Sequence, residues 1–565
     1  MKTRFLFNSI IFLLLLSVKQ SSAQNLVPLD WKISFSDPSS LATRDMAAED
    51  NISLLLSWER QNYFGADGKC TLSTEFNVNQ PNLQYKISSK VQCHILSMRI
   101  NGKEVATNVN TDFWGDRKRT TEILLPKKLL KKGKNSVELL CENLGYTGGI
   151  SHNIFTITPV NNKCKEEVKI SVNSKNHLFI NENPILSIQT KGCTKGELSI
   201  KIENDFHKLL LDTVIAVNSA KNNILLDISK TASKPGFYQC SAVLHGKGYC
   251  GDVQWVAINP EKIECNNVES RFFDSYWNKA KNELAKVSPN FKMHKVDSLS
   301  YGTRNCYIVE MQSLGNLTIR GYYFVPKNSS KHRALLHVPG YGYGFNDVEK
   351  FSKMSTDRID FALCVRGHGI SADKFNPGFG LPGIWGYQLC NSDSIAYRAI
   401  YMDCVRAVDF LSSRPEVDKK HIGVEGGSQG GGLSLVTAGL CNDRISACAY
   451  FDPFPCDIRH SIETRIICRT ELYNFIKYYN NCCSFFDAMN IQDLIDTRYF
   501  APRIKCKVNF ATSLFDDDCP PHQGFAAYNL INSPKQYTIY PNDSHLGESN
   551  YGKMFLDWFD EVSKL

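Results

Sequence analysis

The segment His421-Ile-Gly-Val-Glu-Gly426-Gly427-Ser428-Gln429-Gly430-Gly-Gly-Leu433 constrains this chain more than any other. An apolar β-type run ends at Gly426, and an apolar helical run starts just after Ser428. A G-x-S-x-G pattern between a strand and a helix puts the serine in a strained turn with its hydroxyl exposed at the end of a sheet. Small residues at 426 and 430 let strand and helix crowd together there. The helix N-terminus beneath the turn adds positive potential where an anion can develop.

The rest of the C-terminal half supplies a matching sheet. Phe273, Tyr276, Trp277, Ala280 and Leu284 recur at helical spacing and predict an amphipathic helix. Apolar runs at 334–338, 361–365, 422–425, 447–451 and 507–511 read as strands, with helical patterns at 396–412 and 431–439 between them. Strand–helix alternation predicts a mostly parallel sheet covered by helices on both faces. With the serine turn, this is the pattern of an α/β-hydrolase domain, expected over residues 263–565.

A serine hydroxyl needs a base to become a nucleophile. In this fold the order along the chain is serine, acid, histidine. His522 and His545 are the histidines beyond His460. His545 lies on the loop after the strand-like run 537–541 and just before a terminal helix at 551–562, where the base belongs. His522 follows Pro520-Pro521 and starts a helix, so His545 is the expected base. The acid should follow the strand at 507–514, where Asp516, Asp517 and Asp518 stand together. Spacing alone leaves all three open. The oxyanion hole should use the N–H of Gln429, after the nucleophile, and that of Tyr341 on the Gly-rich loop 339–344.

The first half has a different texture. Lys2 and Arg4 precede an apolar run at 10–16, and Ser21-Ser22-Ala23 supplies small residues, the layout of a secretory signal peptide over 1–23. The run is too short to span a bilayer, and no other stretch is apolar enough, so a secreted or periplasmic protein is expected. Residues 24–160 read as short strands between turn signals, and so do residues 161–262, whose strands are at 168–172, 185–189, 198–202, 223–228 and 236–244. The second stretch predicts an immunoglobulin-like β domain. In the first, Trp31, Trp58 and Trp114 read as core aromatics rather than a sugar-stacking surface. Two all-β sandwich domains are thus expected ahead of the hydrolase.

Charge and cysteine usage exclude several classes. Processing would remove Lys2, Arg4 and Lys19 and leave +5 of the formal +8, too small an excess for nucleic-acid binding. The basic run at 127–134 reads as a solvated strand end and turn. The 20 cysteines form no metal-ligand spacing. A bridge among Cys193, Cys240 and Cys250 fits a β domain, whereas Cys364, Cys404 and Cys448 fall in apolar runs and read as buried thiols. There is no H-E-x-x-H, phosphate loop or dinucleotide fingerprint, so no metal or nucleotide cofactor is expected.

Several strings resemble known families. Met98–Lys103 and Leu129–Val137 (MRINGK and LLKKGKNSV) are similar to the jelly-roll, galactose-binding-like module at the N-terminus of many glycosidases. From about 270 to 565 the chain resembles carbohydrate esterase family 7, the acetyl xylan esterase and cephalosporin-C deacetylase group. The likeness rests on Arg366-Gly367-His368 for the family's R-G-Q, Gly426–Gly430 for its G-x-S-Q-G, and His545 with Glu548 nearby for its H-E. Tyr397–Val408, Ser413–Asp418, Phe486–Asn490, and Cys519-Pro-Pro521 with Phe525–Asn529 add to it. The resemblance implies a Ser428–His545–Asp516 triad, because the family's acid stands three residues before Cys-Pro-Pro. It also implies Tyr341 as an oxyanion donor, since the family's tyrosine follows an H-G pair that is Pro339-Gly340 here. Acetylated xylan or another acetylated oligo- or polysaccharide is then the expected substrate. His368 reads as a hydrogen-bonding substitute for glutamine, and His337 as structural. Many family members are single-domain hexamers, so a homo-oligomer is admitted, although the two β units are additions to that pattern. Two alternatives use the same residues: a secreted serine peptidase or broad-specificity carboxylesterase, and a carbohydrate-binding protein with a degenerate hydrolase domain. The intact serine turn, acid and histidine argue against the last.

Overall fold

The computed structural model describes residues 25–36, 50–56, 61, 68–90, 93–109, 121–143, 154–160, 166–265, 269–342, 344–345, 347–354, 357–464, 466–545 and 550–564. Residues 1–23, Trp58, Trp114 and Glu548 lie outside them.

Alternating side chains build the first β unit. Six antiparallel strands run in the order Asp50–Ser53, Asp30–Phe35, Gly68–Val78, Gly133–Asn143, His94–Ile100 and Lys103–Val109. Three more follow the order Thr121–Leu124, Tyr85–Lys90 and Ile154–Pro159. Both sheets contribute to one core, which includes Trp31, Leu72, Ile87, Leu139 and Ile157. Trp31 is a core aromatic: its indole N–H donates to the Pro28 carbonyl at 2.9 Å, and Phe155 meets it edge-on. Within the basic run Lys127, Lys128, Lys131 and Lys132 are exposed while Leu129 and Leu130 turn inward, the solvated turn expected.

The second unit has a three-stranded sheet (Glu167–Val172, Ile185–Lys191, Lys221–Asp227) and a five-stranded one. The latter runs Leu178–Phe179, Tyr249–Ile258, Gly236–His245, Gly196–Asn204 and Leu209–Val217. Leu186, Ile188, Leu198, Ile200 and Val256 fill the core between them. The expected bridge is corrected here for two of its three candidates: Cys193 and Cys240 are free, buried thiols. Both point into packed interior, where a cysteine behaves as a small apolar side chain.

Among the described residues the C-terminal unit has nine strands: β1 (Lys292–Lys295), β2 (Arg304–Ser313), β3 (Leu317–Pro326), β4 (His332–His337), β5 (Ile359–Cys364), β6 (Val417–Gly427), β7 (Ala447–Phe451), β8 (Lys507–Ser513) and β9 (Lys535–Tyr540). Their order is β1-β2-β3-β5-β4-β6-β7-β8-β9. From β5 to β9 every neighbouring pair is parallel, whereas β1, β2 and β3 form an antiparallel edge. That edge departs from simple alternation because only the turn Leu314–Asn316 separates β2 from β3, too short for a crossover helix. The helices of eight or more residues are α1 (Phe273–Ala285), α2 (Ala396–Ser413), α3 (Gln429–Leu440), α4 (Ile466–Tyr478), α5 (Phe485–Ile495), α6 (Pro521–Tyr528) and α7 (Tyr551–Val562). On one face, α1, α2 and α3 bury Trp277, Tyr401 and Leu435 in the large core. On the other, Phe555 and Phe559 of α7 pack over Ala449, Phe451 and Leu335. All six residues of β5 are buried, as a strand covered on both faces requires. This is a multidomain chain ending in an α/β-hydrolase unit.

Cys364, Cys404 and Cys448 are buried thiols, as expected. A disulfide joins Cys390 to Cys482 and ties the loop after the short helix Gly383–Gly386 to the turn between α4 and α5.

Candidate active site

Strand β6 delivers Ser428 and helix α3 leaves from it. Ser428 has φ 58° and ψ −125°, a conformation that non-glycine residues rarely adopt. Its N–H donates to the Phe451 carbonyl at 2.9 Å, while its own carbonyl accepts from Phe454 N at 3.0 Å and Gly432 N at 3.2 Å. The turn depends on close backbone contact. A Cβ on Gly426 would lie 2.7 Å from the Gly430 carbonyl carbon, and one on Gly430 would lie 2.5 Å from the Val338 oxygen.

His545, on the loop after β9, reaches Ser428 Oγ with Nε2 at 3.1 Å. Its Nδ1 lies 2.7 Å from Asp516 Oδ2. In the neutral ring Nδ1–H therefore donates to the carboxylate and Nε2 accepts the serine proton. Asp516 follows β8 and is buried. Its Oδ1 accepts from the N–H groups of Asp518 at 2.9 Å and Cys519 at 2.7 Å. The N–H of Phe515 donates to the Asp543 carbonyl at 3.0 Å, which fastens the acid loop to the histidine loop. Of the three adjacent aspartates, Asp516 is the one against His545. His522 is turned to another partner, with Nδ1 2.7 Å from Asp205 Oδ2.

Sequence reading missed a second carboxyl. Asp452 directly follows β7 and is fully buried, with Oδ2 accepting from Ser513 N at 3.3 Å. Asp452, Asp516 and His545 bring side-chain polar atoms within 4.8 Å of one another. Two buried carboxyls in contact cannot both ionise cheaply. Burial, then the charge of Asp516, pushes Asp452 well above the usual carboxylate range. Burial also works against Asp516, but His545 and the hydrogen bonds from Asp452 and Cys519 outweigh it and hold Asp516 below that range. Asp452 is then the proton carrier, donating to Asp516. Its sequence signal is a carboxylate directly after the strand beside the nucleophile's strand, at the same sheet edge.

The two expected oxyanion donors lie on segments joined by one side chain. Gln429 takes the Tyr397 hydroxyl on Oε1 at 3.0 Å, and its Nε2 reaches Pro339 O at 3.3 Å and Gly340 O at 3.4 Å. That amide ties the start of α3 to the loop bearing Tyr341. The Gln429 N–H is one of the first in its helix and has no intrahelical acceptor. Tyr341 packs edge-on against Phe379 at 5.1 Å between ring centres.

His368 completes this layer. Its Nδ1 donates to Arg366 O at 3.1 Å, so Nε2 accepts from Gln429 Nε2 at 3.0 Å. Burial pushes its pKa down to about 4, which keeps the ring neutral. Below it, Arg366 grips buried Asp403 with Nε at 2.9 Å and Nη2 at 2.7 Å. His337 sits elsewhere in the interior, with Nε2 2.9 Å from Asp360 and Nδ1 against Glu425. It belongs to a buried charge cluster with Arg304 and Arg358.

Residues 261–561 match the family model described as acetyl xylan esterase (AXE1). Among curated proteins, acetyl esterase Axe7A of Xylanibacter ruminicola is 29% identical over 336 residues, covering 57% of this chain and 74% of that protein. Among solved structures, acetyl xylan esterase 1 from Thermoanaerobacterium sp. is 26% identical, covers 54% of this chain and 98% of its own, and has a TM-score of 0.49. An acetyl xylan esterase from Paenibacillus sp. is 28% identical with the same coverage and TM-score. With the family model spanning more than half of its length, this chain belongs to the acetyl xylan esterase family and is a carboxylic ester hydrolase of the serine type.

Proposed function

We propose that this protein hydrolyses the acetyl esters of xylan or xylo-oligosaccharides, outside the cytoplasm, with a Ser428–His545–Asp516 triad. The observation that carries the reading is the continuous relay from Ser428 Oγ to His545 at 3.1 Å and on to Asp516 at 2.7 Å. Ser428 Oγ attacks the acetyl carbonyl while His545 Nε2 takes its proton. The N–H groups of Gln429 and Tyr341 stabilise the oxyanion. When the tetrahedral intermediate collapses, His545 returns the proton to the leaving sugar oxygen. Water then attacks the acetyl-enzyme by the same route, releasing acetate and restoring Ser428. Asp516 orients the ring and stabilises the imidazolium. Export rests on the expected signal peptide; among the described residues no helix is long and apolar enough to cross a membrane. The two N-terminal β units are read as a jelly roll and an immunoglobulin-like domain.

The test is acetate release from acetylated xylo-oligomers by the parent protein and by Ser428→Ala. The substitution is expected to lower kcat by at least about 10⁴-fold. Undiminished turnover in Ser428→Ala would remove the assignment. Peptide hydrolysis without acetate release would move the protein to the peptidase alternative.

A further inference from the structure

Among the described residues, three groups bring metal-ligand atoms within 4.8 Å of one another. One holds the Cys390–Cys482 disulfide, and one is the Asp452–Asp516–His545 cluster. The third, Cys265 with Asp457 and His522, belongs to neither. We propose that Cys265 Sγ, Asp457 Oδ2 and His522 Nε2 form a zinc-binding site where the second β unit meets the C-terminal unit.

Distance and donor chemistry both fit. Cys265 Sγ lies 3.7 Å from Asp457 Oδ2, and His522 Nε2 lies 3.9 Å from the same oxygen. Tetrahedral zinc with bonds of about 2.0–2.3 Å spaces its ligand atoms about 3.3–3.8 Å apart. A thiolate, an imidazole and a carboxylate are the donors that zinc takes, with water in the remaining position.

The surroundings orient each donor. His522 Nδ1 is bound by Asp205 Oδ2 at 2.7 Å, which leaves Nε2 facing the cluster. A carboxylate behind the far nitrogen is how metal-bound histidines are held. The His460 ring stacks on the His522 ring at 3.9 Å, and Phe206 meets both edge-on. Asp457 Oδ1 is occupied by Arg498 Nη1 at 2.9 Å, so Oδ2 is the oxygen left for the site. Cys265 is partly exposed, which gives an ion a way in.

Cys265 Sγ donates its hydrogen bond to Asp457 Oδ2, so the thiol already points at the cluster; zinc binding would displace that proton. The ligands lie at 265, 457 and 522, on three distant segments, so no spacing motif announces them. His522 follows Asp516 on the same loop-to-helix segment, and Asp457 follows Asp452. Zinc would therefore brace both carboxyl-bearing segments against the second β unit without touching the ester.

The experiment uses the full-length protein, stripped with a chelator, dialysed against zinc and then against metal-free buffer. The expected result is about one zinc retained per chain by mass spectrometry and a melting temperature that rises with zinc concentration. Cys265→Ser should abolish retention, Asp205→Asn should weaken affinity about 10–100-fold, and Cys483→Ser should leave both unchanged. Because Asp205→Asn also alters the unit interface, the decisive readout is cobalt in place of zinc. Its thiolate charge-transfer band should be present in the parent and absent in Cys265→Ser, whose metal-free melting should match the parent's. Zinc not retained by the parent, or a cobalt band that survives Cys265→Ser, overturns the proposal.

Discussion

Ser428 sits in a backbone conformation that costs about 1–3 kcal/mol, and buried neighbours on both sides of the turn hold it there. The same neighbourhood makes Asp452 informative. If its role is that of a protonated donor to Asp516, Asp452→Asn keeps that donor and should leave kcat/KM within a few-fold of the parent. Asp516→Asn should cost about 10⁴-fold in kcat. A comparable loss in Asp452→Asn would mean that Asp452 is ionised and shares the acid's role. His368 carries a pH signature. Its folded pKa of about 4 lies below the value near 6.5 of an unfolded chain, so the unfolded form takes up the proton first. Its stability contribution, on the order of 3 kcal/mol, is present above pH 6.5 and declines as pH falls towards 4. His368→Gln should therefore flatten the drop in melting temperature between pH 7 and 4.5. At this scale, Ser428, Asp516 and His545 were legible because the serine turn is a local pattern and chain order points to the other two. Asp452, and the joining of Tyr397 and His368 through Gln429, were not. They depend on which strand ends lie side by side, and residues 368, 397, 429 and 452 share no local pattern.

Helix α3 is buried all round, and the backbone around it comes as close as side-chain-free residues allow. A Cβ on Gly432 would stand 2.2 Å from the Phe454 oxygen, next to the carbonyl of Ser428 that Phe454 caps. Gly432→Ala should destabilise by about 1–3 kcal/mol and lower the melting temperature, with a proportionate loss of activity as the turn shifts. An unchanged melting curve would show that the helix can move away from the sheet. The parallel strands were readable at this scale because strands buried on both faces are continuous apolar runs. The antiparallel edge β1–β3 and the strands Leu209–Val217 and Tyr249–Ile258 were harder to read. The edge strand Leu209–Val217, for example, leaves apolar residues such as Val214 exposed, so burial and polarity do not alternate cleanly along it.

Across the whole molecule, the second β unit and the hydrolase share a core rather than a mere point of contact. Phe237, Trp255 and Ala257 lie in the same cluster as Phe525 and Tyr528, and the rings of Phe237 and Phe525 are 5.8 Å apart. Sequence rhythm revealed that two β stretches precede the hydrolase, but not this joint, because interface residues and core residues are equally apolar in one dimension. The Cys390–Cys482 bond has its own molecular consequence. It joins residues 92 apart in sequence, and the ring it closes includes β6, Ser428 and all of α3. A protease that nicks the exposed turn at Asn481 would cut within that ring. The two pieces should run as one species on a gel without reductant and separate into two when thiol is added. The bond thus lets the half of the fold that carries Ser428 outlive a break in its own backbone.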